Sequence, residues 1–184
     1  MKIVVLDRDG VINHDSDDYI KSAEEFIPIK GSIPAIARLC EAGFKVVIAT
    51  NQSGLAREHF DEDQLSEIHH LMCSMVEGAG GVIDGIFYCP HHPNEDCSCR
   101  KPGTGLLEQI ENEFACKLQG YYFVGDSLKD IQAAQAFDCN PILVRTGKGF
   151  ITEQALGESN GLPVPTYDDL ASAVTAILGS LNDV

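Results

Sequence analysis

The sequence contains no apolar run that approaches the roughly 20 residues a helix needs to cross a bilayer. Its opening stretch, MKIVVLDRDG, becomes charged too soon to supply the apolar segment of a secretory signal peptide. It also lacks internal repeats and low-complexity tracts. These absences predict a cytoplasmic protein that does not enter a membrane, and a single domain spanning residues 1–184.

Basic residues are scarce, with 13 Lys and Arg against 28 Asp and Glu and a formal net charge of −15. A surface of that sign repels phosphate backbones and anionic lipids, so we expect neither nucleic acid nor a membrane as a partner. An anionic small molecule would need local cations in order to bind. No strongly apolar exposed surface is evident, which predicts a monomer.

A disulfide framework is not expected either, because the seven cysteines are an odd number. Four of them are scattered in predicted helices or at helix ends, where they are interpreted as small buried hydrophobes: Cys40, Cys73, Cys116 and Cys139. The other three fall within the run CPHHPNEDCSCRKPG, which begins at Cys89. That run is typical of a binding site rather than of a core.

Five short, β-branched apolar runs alternate with amphipathic helical patterns. This order predicts an α/β fold, a Rossmann-like three-layer sandwich with a central parallel sheet and no large cap domain. The predicted strands are residues 2–6, 45–50, 85–89, 121–125 and 141–145. The predicted helices are residues 32–42, 61–77, 106–116, 128–137 and 168–181. Residues 147–165, polar and rich in Gly and Pro, are predicted to form a loop.

Polar, reactive side chains follow the predicted strands, where parallel sheets bind their ligands. Asp7 and Asp9 follow the first strand, residues 50–53 end the second, and Asp126 follows the fourth. Carboxylates brought together there would repel one another unless a cation lay among them, and oxygen ligands suit Mg²⁺. Asp7 could then attack a phosphoryl group, with Asp9 moving the protons. Asp-x-Asp-Gly alone could be a simple turn, but Thr50 and Asp126 at matching places argue against that.

The segments LDRDGVIN, ATNQSG, RKP and VGDSLKD resemble, in order, the four motifs of the haloacid dehalogenase superfamily. The resemblance implies that Asp7 is the nucleophile and Asp9 the general acid and base. It implies that Thr50 holds the phosphoryl oxygens and that Lys101 stabilises the phosphoryl charge and orients the nucleophile. Asp126 would bind Mg²⁺ together with Asp7 and the Asp9 carbonyl.

The cysteine-rich run offers Cys89, His91, Cys97 and Cys99 as ligands, a set that suits tetrahedral Zn²⁺ in a structural site. His92 rivals His91, which is preferred because Cys89-x-His91 mirrors Cys97-x-Cys99. The alternative is a loop with free thiols. We expect zinc to order a loop that has no apolar core of its own and to present the next two residues, Arg100 and Lys101, to the active site.

Taken with the other motifs, CPHHP and CxCRKPxxG resemble the family of heptose-bisphosphate phosphatases that serve lipopolysaccharide-core precursor synthesis. The resemblance implies the zinc ligands given above and a sugar phosphate substrate that loses its C7 phosphate. It also implies a set of substrate contacts: Asp15, Tyr19, Thr50, Asn51, Gln52, Ser53, Arg100, Lys101 and Ser127. Two departures bear on the sugar or anomer preferred. The zinc loop is shorter than in some relatives, and Ser127 stands where some carry Lys.

Two other functions remain open. Histidinol-phosphate phosphatases share a very similar motif set, and their cationic substrate could use Asp15, Asp17 and Asp18, although Arg100 favours a second phosphate. A catalytically inactive, zinc-stabilised binding protein is the other, and the presence of both Asp7 and Asp9 argues against it. Because no large insertion interrupts the predicted core, we expect an open site that is partly walled by the zinc loop.

Overall fold

The computed structural model describes residues 1–158 and 163–180, and in these ranges the strands form one parallel sheet. Its order is β3-β2-β1-β4-β5-β6. The strands are β1 (Lys2–Leu6), β2 (Phe44–Asn51), β3 (Gly85–Cys89), β4 (Tyr122–Gly125), β5 (Asn140–Val144) and β6 (Thr166–Tyr167). The first five agree with the predicted strands to within one residue at each end, and the short β6 was not predicted. The predicted α/β fold is confirmed.

Helices cover both faces of the sheet. They are α1 (Ser32–Glu41), α2 (Glu62–Gly78), α3 (Gly105–Phe114), α4 (Leu128–Ala136), α5 (Gly149–Glu158) and α6 (Leu170–Gly179). A 3₁₀ turn, Ala23–Glu25, precedes α1. The predicted helices correspond to all of these except α5, and the end predicted for the last one, at residue 181, lies outside the described residues.

The prediction of a loop over residues 147–165 was wrong, because α5 occupies its first half. The helix buries only Gly149 and Thr152, while Phe150 and Ile151 are exposed. A helix with so little buried surface shows no apolar stripe at helical spacing, so periodicity could not reveal it. Residues 159–162 of the predicted loop lie outside the described ranges.

Successive residues of β1 enter two different hydrophobic cores. Val4 and Leu6 are fully buried in a core shared with helices α1, α2 and α6. Ile3 and Val5 are equally buried in a second core, which α3 and α4 complete. This alternation follows from the two-residue period of a strand. It shows that the sheet containing β1 is the central layer of a three-layer sandwich.

Two helix ends adopt the conformations that their residues favour. Asp61 begins α2 with a capping box: its side chain accepts a hydrogen bond from the Gln64 N–H at 2.9 Å, and the Gln64 side chain accepts from the Asp61 N–H at 3.0 Å. Gly43 follows α1 with a φ of +81°, the left-handed conformation in which glycine commonly ends helices.

No large cap domain is inserted into the described core. Between β1 and α1 the chain contains only the 3₁₀ turn as a named element, and between β2 and β3 it contains only α2. Within the described ranges, none of the helices combines the length and the apolar character required to cross a bilayer.

Candidate active site

The strand order reverses between β1 and β4, where an open parallel sheet leaves a crevice at its carboxyl edge. Asp7 directly follows β1, and its N–H donates a hydrogen bond to the Val124 carbonyl of β4 at 2.9 Å. Asp126 directly follows β4. The sheet topology therefore places these two acidic residues side by side at the position where ligands bind.

Lys101 lies between two carboxylates in this crevice. Its Nζ atom is 3.0 Å from Asp7 Oδ1 and 2.6 Å from Asp130 Oδ1, and it donates a hydrogen bond to the Ala49 carbonyl at 2.7 Å. Burial alone would lower the pKa of Lys101, but the negative charges of Asp130 and Asp7 outweigh it and hold the pKa above its ordinary value. Lys101 therefore stays protonated and fixes the Asp7 carboxylate.

The carboxylates of Asp7, Asp126 and Asp130 form a buried cluster in which one oxygen atom from each residue lies within 4.8 Å of the other two. Burial, reinforced by Asp7 and Asp130, raises the pKa of Asp126 to about 8. Burial and Asp130 also raise the pKa of Asp7, although Lys101 opposes them. Lys101 partly neutralises the cluster, and a hard divalent cation between Asp7 and Asp126 would relieve the remaining repulsion. The donor set fits Mg²⁺.

Two glycines leave room for the Asp126 carboxylate. A Cβ atom on either Gly10 or Gly147 would lie 2.1 Å from Asp126 Oδ2. Both glycines also have positive φ angles, +82° and +57° respectively. The backbone N–H of Lys148 donates to the same Asp126 oxygen at 2.7 Å. The loops after β1 and β5 are thus built around this carboxylate.

The Asp9 carboxylate is held by its own set of donors. Buried Arg8 donates to it from Nε and Nη2 at 3.0 to 3.1 Å, and the side-chain amides of Asn13 and Gln52 each donate at 2.9 Å. Arg8 Nη1 also lies 3.3 Å from His69 Nε2. Burial would raise the pKa of Asp9, but Arg8, with help from the two amides, holds the pKa below its ordinary value.

The residues at the end of β2 connect the Asp9 carboxylate to the segment that follows the cysteine-rich loop. Thr50 is buried, and its Oγ1 accepts a hydrogen bond from the Gln52 side chain at 2.9 Å. The side chain of Asn51 makes two hydrogen bonds to the backbone of Lys101. Gln52 and Ser53 are buried beside them. The Gln52 side chain therefore links Thr50 to the Asp9 carboxylate through two hydrogen bonds.

Cys89, His91, Cys97 and Cys99 come together, with sulfur and ring-nitrogen atoms within 4.8 Å of one another. The Cys89 and Cys97 sulfurs are 3.7 Å apart, close to the edge of about 3.8 Å that a tetrahedron with Zn–S bonds of about 2.3 Å requires. His91 faces the cluster with Nδ1, 3.2 Å from the Cys99 sulfur. His92 instead accepts a hydrogen bond from the Asn94 N–H. The donor set fits Zn²⁺, and His91 is the histidine that belongs to it.

The site opens into a cleft of about 750 Å³. The substrate-binding residues predicted from the sequence all line it: Asp15, Tyr19, Thr50, Asn51, Gln52, Ser53, Arg100, Lys101 and Ser127. Pro93 lines it too, so the cysteine-rich loop forms part of the wall, as predicted. Ser127 is partly committed elsewhere, because its hydroxyl donates to Asp130 at 2.6 Å.

Comparisons with known proteins agree with this geometry. The D-glycero-β-D-manno-heptose-1,7-bisphosphate 7-phosphatase of Pseudomonas aeruginosa is 51% identical to the chain over 178 residues, which are 96% of this chain and 97% of that protein. The chain belongs to this phosphatase family. The HAD-hydrolase-like family model also matches residues 98–173, a region that contains Lys101 and Asp126.

Two solved structures of the heptose bisphosphate phosphatase family resemble the chain along nearly its whole length. The enzyme of B. bronchiseptica, complexed with magnesium and phosphate, is 47% identical, with a TM-score of 0.92 and coverage of 98% of this chain and 99% of that one. The enzyme of Burkholderia thailandensis is 38% identical, with a TM-score of 0.75 and coverage of 97% and 99%.

In this family member, sequence reasoning missed Asp130 and Lys148. Asp130 lies in the first turn of α4, where its carboxylate accepts from the Ser127 N–H at 3.0 Å and reaches Lys101. A capping signal was available, since Ser127 precedes Asp130 by three residues. Lys148 follows β5 and lies in the segment 147–165 that was predicted to be a loop.

Proposed function

We propose that the chain is a Mg²⁺-dependent phosphatase that removes the C7 phosphate of D-glycero-D-manno-heptose 1,7-bisphosphate, in the synthesis of lipopolysaccharide-core precursors. The observation that carries the proposal is the convergence of Asp7, Asp126, Asp130 and Lys101 in one cleft. It is supported by the name of the 51% identical relative from Pseudomonas aeruginosa.

Asp7 is the nucleophile in this proposal. Its carboxylate oxygen attacks the phosphorus of the 7-phosphate, the bond from phosphorus to the sugar O7 breaks, and an aspartyl-phosphate forms. Lys101, 3.0 Å from Asp7 Oδ1, keeps the carboxylate in one orientation and offsets charge that develops on the phosphoryl oxygens. Thr50, buried at the end of β2, lies in the same cleft to bind those oxygens.

Asp9 moves the protons. It protonates the departing O7, then accepts a proton from the water that attacks the phosphorus of the intermediate. The bond between phosphorus and the Asp7 oxygen breaks in this second step, which releases inorganic phosphate and regenerates the Asp7 carboxylate. Arg8 keeps the pKa of Asp9 low in the free protein, so the carboxyl is ionised there. An arriving phosphate adds negative charge beside Asp9, which raises its pKa and favours proton uptake.

Each metal ion would be coordinated by its own set of residues. Asp7 and Asp126, with the Asp9 carbonyl, would hold Mg²⁺, which when bound offsets the negative charge of the phosphoryl group. Cys89, His91, Cys97 and Cys99 would hold Zn²⁺, which when bound supplies the ordering energy of the loop that carries Arg100 and Lys101. In this assignment the zinc site is structural and takes no part in proton or phosphoryl transfer.

Cations at the cleft favour a sugar bisphosphate over histidinol phosphate. Arg100, Lys129 and Lys148 line it in addition to Lys101. A second phosphate would be attracted to them, whereas the amine of histidinol phosphate would be repelled. An inactive binding protein is not favoured, because Asp7 and Asp9 both occupy the cleft. We further propose that the chain acts as one domain, as a monomer and in the cytoplasm.

The deciding experiment follows the purified protein with Mg²⁺ and heptose 1,7-bisphosphate by phosphorus NMR. We expect the signal of the 7-phosphate to be replaced by inorganic phosphate while the 1-phosphate signal remains. Asp7→Asn should lower kcat by at least about a thousandfold without changing the circular dichroism spectrum. Asp63→Asn, at an exposed position on α2, is the matched control. Faster turnover of histidinol phosphate, or full activity of Asp7→Asn, would overturn the proposal.

A further inference from the structure

Arg8 stands between Asp7 and Asp9 in the sequence, and its side chain is fully buried. A buried guanidinium is costly unless its N–H groups find acceptors. The Nε and Nη2 atoms donate to the Asp9 carboxylate, and Nη2 also donates to Gln52 Oε1 at 3.2 Å. These contacts leave Nη1, which needs an acceptor of its own.

His69, on helix α2, supplies that acceptor. Its Nε2 atom lies 3.3 Å from Arg8 Nη1, and in the part of the chain that the structure describes it is the one acceptor that Nη1 meets. A guanidinium can only donate hydrogen bonds, so this ring nitrogen must carry a lone pair and not a proton. The neutral ring of His69 therefore has its single proton on Nδ1.

The surroundings of His69 keep the ring neutral. Burial and then the positive charge of Arg8 lower the pKa of His69 to about 4, although the negative charge of Asp9 opposes them. A protonated ring would also turn an N–H group toward the guanidinium and repel it. His69 is thus an acceptor at neutral pH.

The His69 ring is itself held in place by the neighbouring strand. Its centroid lies 5.9 Å from that of the Tyr88 ring on β3, with the two planes at 59°. The Tyr88 hydroxyl in turn donates to Glu62 Oε2, in the first turn of α2, at 2.8 Å. The ring that meets Arg8 is therefore fixed between a helix and the sheet, and its position is set by packing.

We propose that His69 is a positioning residue for the proton transfers: it accepts from Arg8 and so keeps the guanidinium aimed at the Asp9 carboxylate. His69 is not among the residues that line the cleft, so it acts through Arg8 and does not touch the substrate. Without this acceptor, Arg8 would have to turn Nη1 toward another partner and loosen its grip on Asp9. The inference rests on the proposed function and adds a residue that supports its acid and base.

The test follows two substrates on His69→Leu, which removes the acceptor, and on His69→Gln, whose amide oxygen restores one. We expect His69→Leu to lower kcat/KM about tenfold for heptose 1,7-bisphosphate, whose departing oxygen must be protonated. For p-nitrophenyl phosphate, whose leaving group needs little protonation, the fall should be less than about threefold. His69→Gln should keep both values within about threefold of the wild type.

His70→Leu is the matched control, because His70 is the next residue of α2 and is exposed. It should change kcat/KM for neither substrate. If circular dichroism shows that His69→Leu does not fold, His69→Asn takes its place, since its amide is one methylene shorter than that of Gln and falls short of Arg8. We expect it to show the leaving-group bias that His69→Gln lacks. Equal losses on the two substrates, or no rescue by Gln, would overturn the positioning role and leave the phosphatase proposal intact.

The tautomer of His69 can be measured without any activity. We expect nitrogen NMR of the wild-type protein at about pH 7 to show a neutral ring with its proton on Nδ1, in signals that are missing from the spectrum of His69→Gln. A proton on Nε2 would overturn the inference, because that nitrogen could not accept from Arg8. A wild-type protein that does not hydrolyse heptose 1,7-bisphosphate would instead overturn the proposed function, and the nitrogen signals would still decide whether His69 holds Arg8.

Discussion

The side-chain amide of Asn51 binds the backbone of Lys101 on both sides, accepting from its N–H at 3.0 Å and donating to its carbonyl at 3.1 Å. This pair of hydrogen bonds joins the end of β2 to the loop that follows the Cys/His cluster. The position of Lys101, and through it that of the Asp7 carboxylate, therefore depends on a side chain at the end of β2, the neighbour of β1 in the sheet.

We expect Asn51→Asp to lower kcat by about ten- to a hundredfold, because the new carboxylate cannot donate to the Lys101 carbonyl and leaves it without that bond. Stability should fall by about 1 to 2 kcal/mol. Steady-state kinetics and urea unfolding measure the two effects. Asn112→Asp, an exposed change of the same kind on α3, should alter neither. Wild-type kcat in Asn51→Asp would show that Lys101 is positioned by other contacts.

Loss of one cysteine of the cluster should remove zinc. We expect elemental analysis to find about one zinc per wild-type chain, less in Cys97→Ser, and no change in Cys116→Ser. Cys116 is a suitable control because it is partly buried but lies outside the cluster. Activity should fall with zinc content, since the loop carries Lys101. Wild-type protein free of zinc would refute the assignment of the cluster.

The metal-free protein should lose stability as pH rises. Unfolded Asp126 releases its proton near 3.8, whereas the folded protein holds it up to about 8. The folded state thus binds more protons in this interval, so the free energy of unfolding contributed by Asp126 falls from about pH 4 to about pH 8. In a chelator, the melting temperature of Asp126→Asn relative to that of the wild type should therefore increase as the pH rises across this range.

Added Mg²⁺ should reverse that loss, and should raise the melting temperature of the wild type more at about pH 8 than at about pH 5, because it binds the ionised carboxylates. In Asp126→Asn the Mg²⁺ effect should be smaller at both values. A melting temperature in chelator that is the same for both proteins at every pH would contradict the raised pKa.

Arg8 should matter most for poor leaving groups. Arg8→Lys replaces the guanidinium fork that holds Asp9 with a single ammonium group, so protonation of the departing oxygen should become less efficient. We expect kcat/KM to fall at least about tenfold more for a sugar phosphate than for p-nitrophenyl phosphate, whose leaving group needs little protonation. Asp9→Asn should show the same bias. Equal losses on the two substrates would mean that Arg8 supports only the fold.

The parts predictable from the sequence were those with a short-range signature. β1 to β5 are short apolar runs, and the ends of β1, β2 and β4 carry the acidic and hydroxyl residues that the superfamily motifs describe. The choice of His91 over His92 rested only on spacing in the sequence. The structure supplies the reason, because His91 Nδ1 meets the Cys99 sulfur while His92 caps a local turn.

Features without such a signature were missed. α5 presents Phe150 and Ile151 to solvent, so its pattern resembled that of a loop. Asp130 acts on Lys101, which is 29 positions earlier in the chain, and only the packing of α4 against the sheet brings the two together. Lys148 forms an ion pair with Asp15, which is 133 positions earlier in the chain. Contacts at such separations depend on topology, which one sequence encodes only through the whole fold.

The alternation along β1 has a consequence for how this protein can change. Ile3 and Val5 serve one core, Val4 and Leu6 the other, and Asp7 follows in the same register. Inserting or deleting one residue in this strand would exchange the two interiors and turn the Asp7 side chain toward the opposite face. The packing of both cores and the orientation of Asp7 therefore depend on the same strand length. Evolution at β1 is confined to substitutions, because an insertion or a deletion would disturb both.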